Sequence, residues 1–287
     1  MIKLVKIIAK NKIYYGIGLI FFESVKEGKK IMVKRLLKKI LSKFGYTAVN
    51  TNLYNSLLKK ELSYDLDGEF TEIYEKTKQF TMTSIERMYS MYKAIEYIIN
   101  NNISGDIVEC GVWKGGSTMI SALTLLKMNE SNRTLYLYDT YEGMNKPTEK
   151  DIRTYDNKPA LNIWEKSQEK DHNTWDYAPL EEVKTNLYST KYPKENIKFI
   201  KGKVEDTIPN TIPEKISLLR LDTDLYESTH HELLHLYPRL SLNGVLIIDD
   251  YGYWKGQKEA TDKYFKENNI KILLNRIDEQ GRIGIKI

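Results

Sequence analysis

Two kinds of metal chemistry overlap in residues 221–235, LDTDLYESTHHELLH. Asp222 and Asp224 have the spacing of oxygen ligands at a strand end, because alternate residues of an extended chain point to one side. His231, Glu232 and His235 spell H-E-x-x-H, which on a helix puts two imidazoles one turn apart on one face, as a zinc-dependent hydrolase needs. The two patterns make different demands. Carboxylates without His or Cys favour Mg²⁺, Mn²⁺ or Ca²⁺. Zinc needs a third ligand, for which a residue such as Glu259, beyond an intervening strand, would have to serve. Thr229 and Glu232 also fit a capping box, with Thr at the N-cap and Glu at N3, which gives Glu232 a structural task.

Further acids follow other apolar runs. DIVECGV is followed by the glycine turn Gly111, Gly115, Gly116 and then Ser117, with Glu109 just before it; TLYLYDT ends in Asp139; IKFIKGKV leads to Val204, Glu205 and Asp206; GVLIIDD ends in Asp249 and Asp250. The intervals GGSTMISALTLLKMN, LEEVKTNLYST and ESTHHELLHLY have helical character, and SIERMYSMYKAIEYIINNN (84–102) places Ile85, Met88, Tyr92, Ile95 and Ile99 near one face. Strands that alternate with helices and are apolar on both faces predict a mostly parallel sheet. IKILLNRIDEQGRIGIKI predicts two closing strands with a turn at Glu279–Gly281, the last an antiparallel addition at the sheet edge.

In such a sheet ligands bind at the carboxyl ends of the strands, so these acids share one rim. The glycine spacing, E-x-G-x-x-x-G, is not the dinucleotide G-x-G-x-x-G, which argues against a nicotinamide dehydrogenase. A carboxylate-rich rim suits a ligand with a cation and ribose hydroxyls, such as S-adenosylmethionine, with Asp139 placed to accept both hydroxyls. Asp222, Asp249 and Asp250 offer a hard oxygen cluster for Mg²⁺. A cation there would lower the pKa of a bound substrate hydroxyl, and Asp224 is the candidate general base.

The 287 residues carry a net charge of +5 with an uneven distribution: residues 1–50 hold twelve Lys and Arg against two Glu. The excess sits on an N-terminal extension rather than in a nucleic-acid-binding stripe. The apolar run 13–22 is too short for a spanning helix, which takes about 20 residues, and no small-residue cleavage site follows it. IMVKRLLKKILSKFGY has apolar residues at helical spacing and a cationic opposite face, which suits peripheral membrane contact or packing on the domain or a subunit partner. One cysteine, Cys110, excludes an internal disulfide and fits a reducing, cytoplasmic setting; its place in an apolar run marks it as buried and structural. Residues 143–178 are polar and aromatic, with Trp164, His172, Trp175 and Tyr177 and no strand period, which predicts a lid with some helix.

Together, MTSIERM (82–88), VECGVWKGGS (108–117), YDTYEGM (138–144), KGKVEDTIP (201–209), LDTDLYEST (221–229) and IIDDYGYWKGQKEATDKYF (247–265) resemble the macrocin O-methyltransferase family. The resemblance covers about residues 80–265. It implies an α/β, Rossmann-like class I methyltransferase fold: a seven-stranded, mostly parallel sheet with an antiparallel C-terminal strand. The domain would span 81–287 with its lid at about 143–178, after a basic, mainly helical extension over 1–80. By resemblance, Glu109, Gly111 and Ser117 line the methionine end of S-adenosylmethionine, Asp139 holds the ribose, and Val204 and Glu205 edge the adenine. Met82, Thr83 and Ser84 close over the cofactor, Asp222, Asp249 and Asp250 bind Mg²⁺, and Asp224 is the base. The implied activity is metal-dependent methylation of a sugar hydroxyl, on a glycan, a nucleotide-linked sugar or a natural-product glycoside, by a homo-oligomer. The alternatives are the zinc hydrolase and a non-catalytic membrane- or partner-binding protein on the same scaffold.

Overall fold

The structure, a computed structural model, describes the backbone of residues 2–9 and 12–19 and the chain from Asp65 to Ile287. Two compact units result, Met1–Tyr64 and Asp65–Ile287. In the first, β1 (Ile2–Ala9) and β2 (Lys12–Leu19) form an antiparallel pair with Ile2 opposite Leu19 and Ala9 opposite Lys12. The extension expected to be mainly helical therefore begins as strands, which suits its density of Ile, Val and Tyr. The run at 31–46 expected to be helical, and most of the segment expected to touch a membrane, lie outside the described residues.

The second unit opens with α1 (Gly68–Thr77), whose Phe70 and Ile73 are buried in the same apolar core as α2 (Ile85–Asn100). Phe70 packs edge-on against Tyr89 of α2 at 5.0 Å between ring centroids. The compact unit thus starts at Asp65 rather than at residue 81. Ser84 caps α2 by accepting the Arg87 N–H at 3.2 Å. The buried face of α2 is Met88, Met91, Tyr92, Ala94, Ile95 and Ile98, so Ile98 rather than Ile99 continues the stripe.

Strands and helices then alternate: β3 (Asp106–Cys110), α3 (Gly116–Lys127), β4 (Leu135–Asp139), α4 (Leu161–Lys166), α5 (Leu180–Ser189), β5 (Ile197–Lys201), α6 (Val204–Thr207), β6 (Ile216–Leu221), α7 (Tyr226–Leu236), β7 (Leu240–Ile248) and α8 (Lys255–Glu267). β8 (Asn275–Arg276) and β9 (Arg282–Ile285) close the chain. The seven strands are ordered β5-β4-β3-β6-β7-β9-β8. Pairs among β3 to β7 are parallel and β9 runs antiparallel to both neighbours, as expected. Cores on both faces cover the sheet, which is why its strands read as continuous apolar runs. Cys110 is fully buried in one of them, and burial pushes its thiol well up.

The strand order reverses beside β3, between β4 and β6. That is the switch point at which open α/β sheets bind ligands, and it brings the turn after β3 against the ends of β4 and β6. Residues 143–178 hold α4 and are fastened to the domain. Ile152 and Thr154 exchange backbone hydrogen bonds with Lys255 and Tyr253, and Asp151 Oδ1 accepts the Tyr226 N–H at 2.7 Å. Asp151 thereby caps the first turn of α7, for which Leu225 at the N-cap has no side-chain acceptor.

Candidate active site

β6 and β7 end in register, Leu221 beside Ile248, so Asp222 and Asp249 leave the sheet side by side. Carboxylate oxygens of Asp222, Asp224 and Asp250 lie within 4.8 Å of one another. Asp224 reaches the cluster through a left-handed backbone (φ 66°) rather than by continuing the strand; Asp tolerates that conformation better than most residues. The Asp250 N–H donates to the buried Gln257 Oε1 at 2.7 Å, which fixes the turn after β7. Burial, and after it neighbouring acids, hold all three carboxyls above the usual range: Asp250 presses on Asp224, Asp249 presses on Asp250, and Asp222 is only partly relieved by Arg220. The oxygen-only donors of this group fit a hard divalent cation.

Asp249 faces elsewhere. One oxygen pairs with Arg87 and the other lies 2.8 Å from Arg220 Nη2. Asp224 therefore joins Asp222 and Asp250 in the close group, and Asp249, expected as a ligand, leaves the sheet beside Asp222. Arg220 is itself buried on β6 and touches three acids: Glu109 at 2.5 Å, and Asp222 and Asp249 at 2.8 Å each. Glu109, expected at the cofactor's methionine end, gives one oxygen to Arg220 and the other to the Thr118 hydroxyl.

The glycine turn abuts this cluster. Gly111 has φ 82°, and a Cβ there would overlap the Asp222 carbonyl oxygen, so only glycine lets the turn lie against β6. Asp139, on the other side, accepts the Val112 and Trp113 N–H groups at 2.7 and 3.2 Å through Oδ2, and the Tyr141 N–H at 2.7 Å through Oδ1. Asp139 and the turn thus come together as expected, with the carboxylate also shaping the turn. Its carbonyl accepts the Gly202 N–H at 3.0 Å, which sets the end of β5 next to it. From there Val204 begins α6 as a buried residue and Glu205 is exposed. A cleft of about 580 Å³ opens here, lined by Thr140, Gly143, Trp164, His172, Lys201 and Gly202 among others.

The segment before α2 covers the turn. A side chain at Gly116 would meet the Phe80 carbonyl at 2.6 Å. Thr83 donates its N–H to Thr81 Oγ1 at 3.1 Å, and the Ser84 hydroxyl donates to Asp278 Oδ2 at 2.6 Å. Met82 is 58% exposed. The Ser117 hydroxyl, in the first turn of α3, lies 3.9 Å from Met88 Sδ.

Residues 143–178 add an acid that no periodicity marked. Asp176 is pushed up to about 6 by burial and then by Asp250, with Asp139 contributing, so it stands within electrostatic reach of both ends of the site. Arg220 was missed as well; its signal is a cation inside the apolar run ISLLRLD, which needs buried partners.

His231 and His235 do lie one turn apart, 4.5 Å between ring centroids. Among the described residues, however, the acid trio is the one group suited to holding a metal. His231 Nε2 donates to the Ile208 carbonyl at 2.9 Å. The capping box also fails, because α7 starts at Tyr226, before Thr229. Glu232 is instead buried inside the domain and accepts the Thr223 hydroxyl at 2.8 Å. No helix among the described residues is long and apolar enough to cross a membrane.

The profile of the macrocin-O-methyltransferase (TylF) family matches residues 18–283. Demethyldecarbamoylnovobiocin O-methyltransferase of Streptomyces niveus is 33% identical over 201 residues, 70% of this chain and 73% of that one. Mycinamicin III 3''-O-methyltransferase of Micromonospora griseorubida is 28% identical over 246 residues, 86% and 92% of the two chains. The solved O-methyltransferase NovP has a TM-score of 0.64 at 30% identity, over 72% of this chain and 82% of its own.

Proposed function

This chain belongs to the macrocin O-methyltransferase family and is an S-adenosylmethionine-dependent O-methyltransferase, and from that premise we propose that it methylates a sugar hydroxyl with the help of a divalent cation, Mg²⁺ by preference. The observation that carries the proposal is the convergence of Asp222, Asp224 and Asp250 beside the glycine turn. Support for a sugar acceptor comes from relatives named for a rhamnosyl-tetracenomycin and for mycinamicin III. A natural-product glycoside, a glycan and a nucleotide-linked sugar all carry the required vicinal hydroxyls.

Asp222 and Asp250 would hold the cation, with Asp224 or Asp249 completing the set. Asp224 is the residue we assign to take the acceptor proton. Asp139 would accept the ribose hydroxyls of the donor. Gly111 and Ser117 would pass along its methionine end, Val204 and Glu205 along its adenine, and Met82, Thr83 and Ser84 across its outer side. When bound, the donor supplies an electrophilic methyl on a sulfonium, and the cation lowers the pKa of the acceptor hydroxyl. The protein's share is to hold donor and acceptor in line, exclude water beneath residues 143–178 and receive the proton. Orientation of this kind is worth about 7–11 kcal/mol.

The test is transfer of labelled methyl from S-adenosylmethionine to a panel of glycosides and sugar nucleotides. Label on a sugar hydroxyl, lost with EDTA and restored by Mg²⁺, is the expected result; full activity in EDTA contradicts the cation's role. In parallel, Asp139→Ala should weaken S-adenosylhomocysteine binding about 10- to 100-fold by calorimetry, the size expected for losing charged hydrogen bonds. Unchanged affinity would remove Asp139 from the donor site.

A further inference from the structure

We infer that Arg220 is a positioning residue for the cation site, holding Asp222 and Asp249 at fixed spacing across the β6–β7 boundary so that the cluster is formed before an ion arrives. The inference rests on the proposed reading of Asp222, Asp224 and Asp250 as a cation site.

The geometry is that of a bracket. Glu109 and Arg220 are direct cross-strand neighbours on β3 and β6, and both are buried. The Thr118 hydroxyl and Arg220 Nη1, at 2.5 Å, hold the Glu109 carboxylate from its two oxygens. Glu109 in turn fixes the plane of the guanidinium. The other terminal nitrogen, Nη2, then stands 2.8 Å from Asp222 Oδ2 and 2.8 Å from Asp249 Oδ1. One nitrogen therefore bridges the acids at the ends of two adjacent strands. The far oxygen of Asp249 is held by Arg87, which also pairs with Asp278 at 3.0 Å. Asp222 is thus steadied from behind while it contributes to the cluster in front.

Only a planar fork can meet three carboxylates in this way. A lysine ammonium supplies the charge without the geometry. Partners of this kind behind a metal ligand commonly set affinity by a factor of about 10–100.

The experiment titrates Mn²⁺ into the full-length protein and reads free ion by electron paramagnetic resonance, for wild type, Arg220→Lys and Glu109→Gln. Glu109 touches the bracket and not the cluster, so its variant tests the same idea without altering the bridge itself. The control is Tyr192→Phe, which deletes a buried hydroxyl's 2.7 Å hydrogen bond to the Arg133 carbonyl at the amino end of the sheet. That variant should lose stability and keep its Mn²⁺ affinity. The expected result is a Kd for Mn²⁺ raised about 10- to 100-fold in Arg220→Lys and by a smaller factor in Glu109→Gln. Unchanged or tighter binding in Arg220→Lys overturns the inference, and tighter binding would make Arg220 a competitor of the ion. Should Arg220→Lys fail to fold, unchanged affinity in Glu109→Gln overturns it instead. Wild type that binds no Mn²⁺ overturns the cation site itself and the bracket with it.

Discussion

Asp222→Ala and Asp250→Asn should each reduce methyl transfer about a thousandfold or more while leaving S-adenosylhomocysteine binding intact. Each removes one of the carboxylates assigned to the cation, and loss of several kcal/mol of charge stabilisation at the acceptor oxygen corresponds to a thousandfold at about 1.4 kcal/mol per decade. Stability should move the other way. Burial, and after it the charge of Asp249, hold the Asp250 carboxyl above its usual range, so its charged form costs energy in the ion-free fold. Asp250→Asn removes that repulsion, and the ion-free variant should melt at or above the wild-type temperature. Asp249→Asn should behave differently. It takes a partner from Arg87 and Arg220, and breaking such a buried pair costs about 3–5 kcal/mol. Thermal melts of these two ion-free variants check the contrast. Equal destabilisation by Asp250→Asn and Asp249→Asn would refute the division of labour.

Asp224→Asn should lower kcat about 10²- to 10⁴-fold, the usual contribution of a general base, with Mn²⁺ affinity and the KM for acceptor changed little. The amide preserves size and cannot accept the proton. Asp224 lies in the same trio as Asp222 and Asp250, so its neighbours alone do not decide between base and ligand. Kinetics and Mn²⁺ titration on the one variant do. A fall in kcat with retained Mn²⁺ binding identifies the base. Loss of Mn²⁺ binding in proportion to the loss of rate identifies a ligand, and the base must then be sought elsewhere, with Asp176, whose carboxyl feels the charges of Asp250 and Asp139, the next candidate.

Much of this site was legible because parallel strands covered on both faces leave a plain record: an apolar run, then whatever the rim requires. Asp139, Asp222 and Asp250 are each the polar residues that end such a run, and Gly111 had to be glycine because the turn lies against the Asp222 carbonyl. The pair Asp249 and Asp250 was harder. Successive residues leaving a strand point in opposite directions, so one faces the cluster and the other the arginines, and sequence alone does not say which. Arg87 pairs with Asp249 and Asp278 and Arg220 with Glu109 and Asp249, all distant in the chain, and no local pattern records those pairings. Asp176 lies in an aperiodic stretch, brought over the site by hydrogen bonds such as those of Asn173 to the Glu142 and Trp164 carbonyls. The start of α7 was misplaced for a related reason. Its cap comes from Asp151, 75 residues upstream, and not from a neighbouring Thr.

The decisive measurement is a crystal structure of the protein with S-adenosylhomocysteine and Mn²⁺, with anomalous diffraction collected to place the ion. An anomalous peak bonded to oxygens of Asp222 and Asp250, beside a donor product seated between Gly111 and Asp139, is the expected result. A peak on His231 and His235, or no peak near the ends of β6 and β7 at saturating Mn²⁺, would contradict it.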